Sequence, residues 1–404
     1  MTHAEELSLL SDTFRKDRDH VSIPQWKLSI IGYPFESAHC HLLPGGDRHC
    51  YIHGKSFPLS EPPDGEGDGV HVPDARVEEN REFRYHIVNG WRKAPADGII
   101  LLFHGLNEKN WDKYLPWARR LNLHTGKPVV LFPLAFHMDR APALWSDPKT
   151  MHRLSRARHT RFPEITCSSL ANAAISERLV DNPKRFLWSG LQSFNDLVSF
   201  CREIRSGIHA GIQKNARIDF FAYSIGAFLA LIALMADPGN LFSRTRLFCF
   251  CGGCVLNRSY PTSRYIMDSK ANVALYSLYV EHLEHEIASD PSLAHYFSSL
   301  HPEGMYFKSL LDLHKEVALR EDRLREIHRR IRAVTLKKDT VMLPMEVAHT
   351  LQGRELRIPV KIKTLDFPYD YSHANPFPRG IPQQDQVLRS MNNLFRQAAK
   401  FLRN

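Results

Sequence analysis

The sequence predicts an α/β protein built on a mostly parallel central sheet with helices on both faces. Three observations predict it. Short, continuous apolar runs recur along the chain, as strands covered on both faces require. Amphipathic stretches of helical length separate them, and Gly, Pro, Asn and Asp punctuate the junctions. The 404 residues are 43% hydrophobic and 24% charged, ordinary for a globular chain, so the fold rests on pattern and not on composition.

Taken in order, residues 1–80 read as an irregular N-terminal extension rich in Pro, Gly and His. Within it the turn-prone segment EPPDGEGDG, Glu61 to Gly69, reads as a linker or loop. Residues 81–404 carry the sheet. Its strands are expected at Phe83 to Val88, Ile99 to Phe103, Val129 to Phe132, Ile218 to Ala222, Leu247 to Phe250, Ala333 to Leu336 and Val360 to Thr364. Helices are expected at 111–124, 191–206, 225–236 and 385–402. Residues 136–190 and 256–331 are too long for simple crossovers, so each should be an insertion with helices of its own, placed to cover the mouth of a site as a cap or lid. In the second, Leu310, Leu313, Val317, Leu324, Ile327 and Ile331 recur at three- and four-residue spacing, which predicts a long amphipathic helix. Its stripe suits core packing, a homodimer seam or a membrane-lying face.

Composition narrows the function classes. The start, MTHAEELSLLSDTFRKDRDH, has no signal-like apolar run, and the longest apolar stretch, 226–235, falls short of a membrane span of about 20 residues. Seven cysteines, an odd number, suit a reducing compartment. A cytoplasmic protein without a membrane span is therefore expected. The formal charge of +9 is diffuse. Its densest patches, Arg153 to Arg161 and Arg320 to Arg332, lack the interleaved aromatics of a single-strand binder, and no nucleic-acid partner is expected.

The chemistry concentrates in a few segments. RIDFFAYSIGAFLALIAL sets Ser224 after an apolar strand and before a helix rich in small residues, with Ala222 and Gly226 allowing strand and helix to approach. Upstream, DGIILLFHGLNEKNW ends a buried strand in His104-Gly105. Acyl transfer needs two preorganised donors for its oxyanion, and the backbone amides of Leu106 and Ile225 are the candidates. His104 reads as a structural ring beneath that loop. Serine also needs a base, and the base a carboxylate to orient it. IRAVTLKKDTVMLPMEVAHTL offers Asp339 after a strand, and RIPVKIKTLDFPYDYSHANPFP offers His373, with Asp366 and Asp370 as rival acids.

These segments, HGL at 104–106, AYSIG at 222–226, KKDTVMLP at 337–344 and DYSHANPFP at 370–378, resemble the α/β-hydrolase superfamily across about residues 83–404. The resemblance implies an α/β-hydrolase domain over 81–404, a Ser224 nucleophile, an Asp339 acid, a His373 base and an oxyanion hole at Leu106 and Ile225. It implies a carboxylesterase-like serine hydrolase acting on a small-molecule acyl substrate, with thioester, amide or peptide hydrolysis and acyl transfer as variants, and no cofactor. The alternative is a non-catalytic binding scaffold on the same fold. Two further clusters stand apart. AHCHLLPGGDRHCYIH holds His39, Cys40, His41, His49, Cys50 and His53, whose spacing matches no standard zinc finger, so no metal is expected. Cys251 and Cys254 form CGGC at a strand end and read as small packed hydrophobes.

Overall fold

The computed structural model describes residues 2–58, 70, 72–92 and 94–403. The Glu61–Gly69 segment, expected to be a linker, lies outside them. Among the described residues nine strands form one sheet: β1 (His20–Ile23), β2 (Leu28–Glu36), β3 (Glu82–Gly90), β4 (Ala96–Phe103), β5 (Val129–Leu131), β6 (Ile212–Tyr223), β7 (Leu247–Phe250), β8 (Ile331–Leu336) and β9 (Lys361–Leu365). Their order is β1-β2-β3-β5-β4-β6-β7-β8-β9. The first three junctions are antiparallel and the other five parallel. The exchange of β4 and β5, followed by a parallel run to β9, is the α/β-hydrolase fold with an extra hairpin strand, β1, at one edge. At the other edge β9 pairs only with β8 and presents Lys361 and Lys363 to solvent.

Strand β4 shows why its sequence is apolar without alternation. Ile99, Leu101 and Phe103 point into one core, with the Arg185–Ser206 and Ile225–Ala236 helices. Ile100 and Leu102 point into the other, with Trp117 and Leu121 of the Leu115–Thr125 helix and Phe395 of the Gln384–Arg403 helix. Both sides are dry, so both sets are hydrophobic.

Two expectations are corrected. The described part of residues 1–80 is not uniformly irregular. His3–Thr13 is a helix closed by a capping box between Thr2 and Glu5, and β1 and β2 belong to the sheet. Gly32 and Pro34 hide β2 in the sequence. Pro34 is tolerated because β1 covers only Leu28 to Ile31, leaving the Pro34 end paired on the β3 side alone. A buried polar knot ties this region down. Asp196 takes Arg140 at 2.8 Å and Ser37 at 2.7 Å, while Asn80 reaches Gln192 at 2.9 Å and Arg140 at 3.1 Å.

The long helix expected over 310–331 is also absent. Pro302–Ser309 ends a helix, a turn follows with Glu316 at φ 49°, Val317–Ile327 forms the next helix, and Ile331 begins β8. Arg320, the charge that interrupts the apolar stripe, is buried and donates to the carbonyls of Leu313 at 2.7 Å, Lys315 at 3.0 Å and Asp312 at 3.2 Å, so it closes the turn. Leu310, Leu313, Leu324, Ile327 and Ile331 all lie in the main core, which removes the stripe as a dimer seam or membrane face. Both long intervals contain helices, Pro148–Arg161 and Ala173–Asp181 in the first, Ser269–Tyr276 and Pro302–Ser309 among those in the second. Among the described residues no helix is long and apolar enough to cross a membrane.

Candidate active site

Ser224 stands at the junction of β6 and the Ile225–Ala236 helix with φ 55° and ψ −124°, a conformation L-residues rarely adopt. The turn survives because its neighbours are small. A Cβ on Gly226 would lie 2.7 Å from Phe103 Cβ and 2.8 Å from the His104 carbonyl, and Ala222 is fully buried. Gly252, which sequence reasoning passed over within CGGC, matters as much: a Cβ there would lie 2.6 Å from the Ser224 carbonyl oxygen.

The loop after β9 brings His373 to the serine, with Nε2 2.8 Å from Ser224 Oγ. Its Nδ1 lies 2.8 Å from Asp339 Oδ2. A carboxylate oxygen accepts, so Nδ1 donates and Nε2 is left to accept the serine proton. Asp339 is held in turn by the amides of Val341 and Met342, each 2.9 Å from Oδ1. This is the local effect of a tight turn between β8 and the Pro344–Leu351 helix. The rival acids point elsewhere. Asp366 accepts from Tyr371 at 3.0 Å and pairs with Lys337, and Asp370 faces Lys338.

Three positioning groups left no local signal. Tyr223 stacks on the His373 ring and donates to the His373 carbonyl. Lys113 pairs with Glu108 and donates to the Ala374 carbonyl at 3.1 Å, joining the loop after β4 to the His373 loop. Asn107, at φ 61°, donates to the carbonyls of Ala171 at 2.9 Å and Tyr265 at 2.7 Å, one in each insertion.

Leu106 lines the cleft with Ser224, and Ile225 follows the serine in sequence. Ile225 is the first residue of its helix, where amides have no acceptor within the helix. Leu106 follows Gly105, whose amide is fixed on Tyr114 Oη at 2.9 Å. His104 lies beneath them: its Nδ1 donates to the Gly105 carbonyl at 2.9 Å and its Nε2 accepts from the Leu134 amide at 3.0 Å. Burial pushes its pKa well below the ordinary histidine value. Ser224 and His373 open on a cleft that also meets Ala171, Tyr265 and Ile266 of the insertions. Lys109 lines it, lowered by burial to about 8. On the other side of Leu106 and Ile225 lies a small apolar cavity, walled by Phe186, Phe228, Leu229 and Phe307.

The CGGC thiols are buried and unpaired with each other. Burial raises both pKa values, with the Asp339 carboxylate adding to it, so these are neutral packing groups. The basic patches are partly spent internally. Arg158 is buried against Asp268 and Glu177, and Arg320 on its carbonyls.

The profile of a family described as "Family of unknown function (DUF6051)" matches residues 1–403. No curated protein matches the chain. Among solved structures the chain is similar to an esterase from Pyrobaculum calidifontis, with 12% identity, a TM-score of 0.41 and 80% of this chain covered against 81% of that one. It is similar to carboxyl esterase 2 of the mycorrhizal fungus Tuber melanosporum, at 11%, 0.43, and 86% against 93%. The esterase domain of a Rhodothermus marinus protein gives 12%, 0.39, and 92% against 98%. Likeness at that level says nothing of what this chain turns over.

Proposed function

Because the chain belongs to the DUF6051 family of unknown function, its activity has to be argued from its own residues, and we propose a serine hydrolase that cleaves an ester-like bond through an acyl-enzyme. The observation that carries this reading is the unbroken line from Ser224 Oγ to His373 Nε2 and from His373 Nδ1 to Asp339, each contact at 2.8 Å. Such a line supports turnover over a passive scaffold, because neither burial nor packing requires a strained serine to face an oriented imidazole.

In this reading Ser224 attacks the carbonyl carbon as His373 takes its proton. The Leu106 and Ile225 amides receive the oxyanion, and His373 returns the proton to the leaving alkoxide. Water then enters and gives a proton to His373 as it attacks the acyl carbon; the bond to Ser224 Oγ breaks, His373 returns the proton to Ser224, and the acid leaves. Asp339 keeps the imidazole in the required tautomer and offsets its charge. The apolar cavity beside Leu106 and Ile225 suits a hydrophobic acyl group, while the polar cleft suits the alcohol side and access of water. The two helical insertions act as a cap, since residues from both border the mouth.

Labelling with a fluorophosphonate probe, read by intact mass, tests this. Wild type takes one adduct, and Ser224→Ala takes none while keeping its fold. Asp339→Asn leaves the fold intact but slows labelling and ester hydrolysis by about 10⁴-fold, because it favours the wrong tautomer. Asp366→Asn stays within about threefold of wild type, as an exposed group on a surface pair should. Undiminished labelling of Ser224→Ala would remove the proposal.

A further inference from the structure

We propose that Cys50, His53, His295 and His301 form a tetrahedral zinc site that fastens the N-terminal region to the second insertion. Four potential ligand atoms, one per residue, all lie within 4.8 Å of one another. Cys50 Sγ is 3.3 Å from His53 Nδ1 and 3.5 Å from His301 Nε2, and His301 Nε2 is 3.0 Å from His295 Nε2. A zinc ion with Zn–N of about 2.05 Å and Zn–S of about 2.3 Å sets tetrahedral edges of about 3.3 Å between nitrogens and about 3.6 Å from sulfur to nitrogen. The three shortest separations are close to those edges, and the remaining pairs, all within 4.8 Å, would draw in by small side-chain movements around one ion.

Local structure explains how each pair is presented. Cys50 and His53 share one tight turn, in which the Cys50 amide donates to Lys55 O at 2.8 Å and the His53 amide to Cys50 O at 3.2 Å, with Gly54 at φ 58° completing the reversal. His295 lies on the Pro291–Tyr296 helix, and His301 immediately precedes the Pro302–Ser309 helix. Each half thus supplies two ligands from a short, hydrogen-bonded piece of chain. Spacing within the N-terminal segment alone could not reveal the set, because its partners sit in the opposite half of the sequence.

The hydrogen bond behind His301 turns its other ring nitrogen toward the cluster. Glu303 Oε1 lies 2.7 Å from His301 Nδ1, so that nitrogen donates to the carboxylate and Nε2 keeps its lone pair. Nε2 faces both the Cys50 sulfur at 3.5 Å and His295 Nε2 at 3.0 Å, so it is aimed at the centre of the cluster. A cation satisfies all four atoms at once. The carboxylate behind a ligating imidazole is the arrangement that fixes its orientation and raises its basicity. One thiolate and three imidazoles suit zinc and disfavour magnesium or calcium. Cys50, His295 and His301 are buried and all four positions come from the chain, so the ion has no open position and acts structurally. Glu303 and Phe307, on the helix that His301 precedes, wall the apolar cavity beside Leu106 and Ile225, so the ion steadies one side of that cavity.

The test uses tag-free full-length protein purified from zinc-supplemented culture without chelator. Elemental analysis should find about one zinc per chain in wild type and about a tenth of that or less in Cys50→Ser and His301→Ala. His49→Ala, at a half-buried histidine bonded to Ser56 and outside the cluster, should keep its metal. Wild type stripped and reloaded with Co²⁺ should show the absorption of a tetrahedral site with a thiolate-to-cobalt band, and Cys50→Ser should lose that band. Wild type that holds only trace zinc and takes up no Co²⁺ would overturn the proposal whether or not the variants fold. So would equal metal loss in His49→Ala and His301→Ala. Since metal content and cobalt absorption do not involve Ser224, failure here would leave the hydrolase reading standing, and the reverse.

Discussion

Ser224, at φ 55°, is kept in place by what its neighbours lack. Gly252 is the sharpest case, because a Cβ would meet the Ser224 carbonyl oxygen at 2.6 Å, Ala227 Cβ at 2.8 Å and the Ser224 amide nitrogen at 3.0 Å, atoms fixed to the backbone that cannot swing aside. Gly252→Ala should therefore cost about 1 to 3 kcal/mol of stability and slow labelling of Ser224 far more than that loss of fold explains. Thermal melting beside the labelling rate measures both, and an unchanged rate would show that the elbow does not depend on this approach. At this scale the sequence was legible where a functional residue follows its own strand, as Ser224 follows β6 and Asp339 follows β8. Gly252, Tyr223, Lys113 and Asn107 gave no signal, because each works through a partner distant in sequence: Ser224, the His373 loop or the insertions.

The Arg185–Ser206 helix, the loop after β5 and the residues flanking β2 and β3 meet in the knot of Asp196, Arg140, Asn80 and Ser37. Arg140 and Asp196 are wholly buried, and the guanidinium also lies over the Phe83 ring at 4.0 Å. Asp196→Ala would strand that charge, and urea unfolding should find about 3 to 5 kcal/mol lost. The double change Arg140→Met with Asp196→Leu should lose less than Asp196→Ala alone, since no buried charge is left without its partner. The strands β4 to β8 were readable because two dry faces demand largely apolar runs. Residues 310–331 misled for the converse reason. A turn, a helix and the start of β8 all send side chains into one core, and their spacing happens to imitate a single helix.

The whole molecule carries several histidines that burial keeps neutral. His3 and His137 are each lowered to about 4, with burial the main cause, and His104 is pushed well below 6.5. Between pH 6.5 and 4 the unfolded chain binds more protons at these sites than the folded one. Stability is thus full above pH 6.5 and drains as pH falls towards 4, by up to about 3 kcal/mol for His137 alone. Urea midpoints should fall steadily from pH 7 to pH 5, and a flat series would contradict the assignment. The mostly parallel sheet was foreseeable at this scale, whereas the ties between the first 80 residues and the second insertion were not, since they form only after folding. The sheet also ends deliberately. A bare strand edge is a template on which a second chain can extend the ladder, the step that begins aggregation and domain exchange. With Lys361 and Lys363 facing solvent from β9, an antiparallel copy arriving edge to edge would bring ammonium against ammonium before its ladder could close. That electrostatic fence allows a nine-stranded sheet to stop at nine.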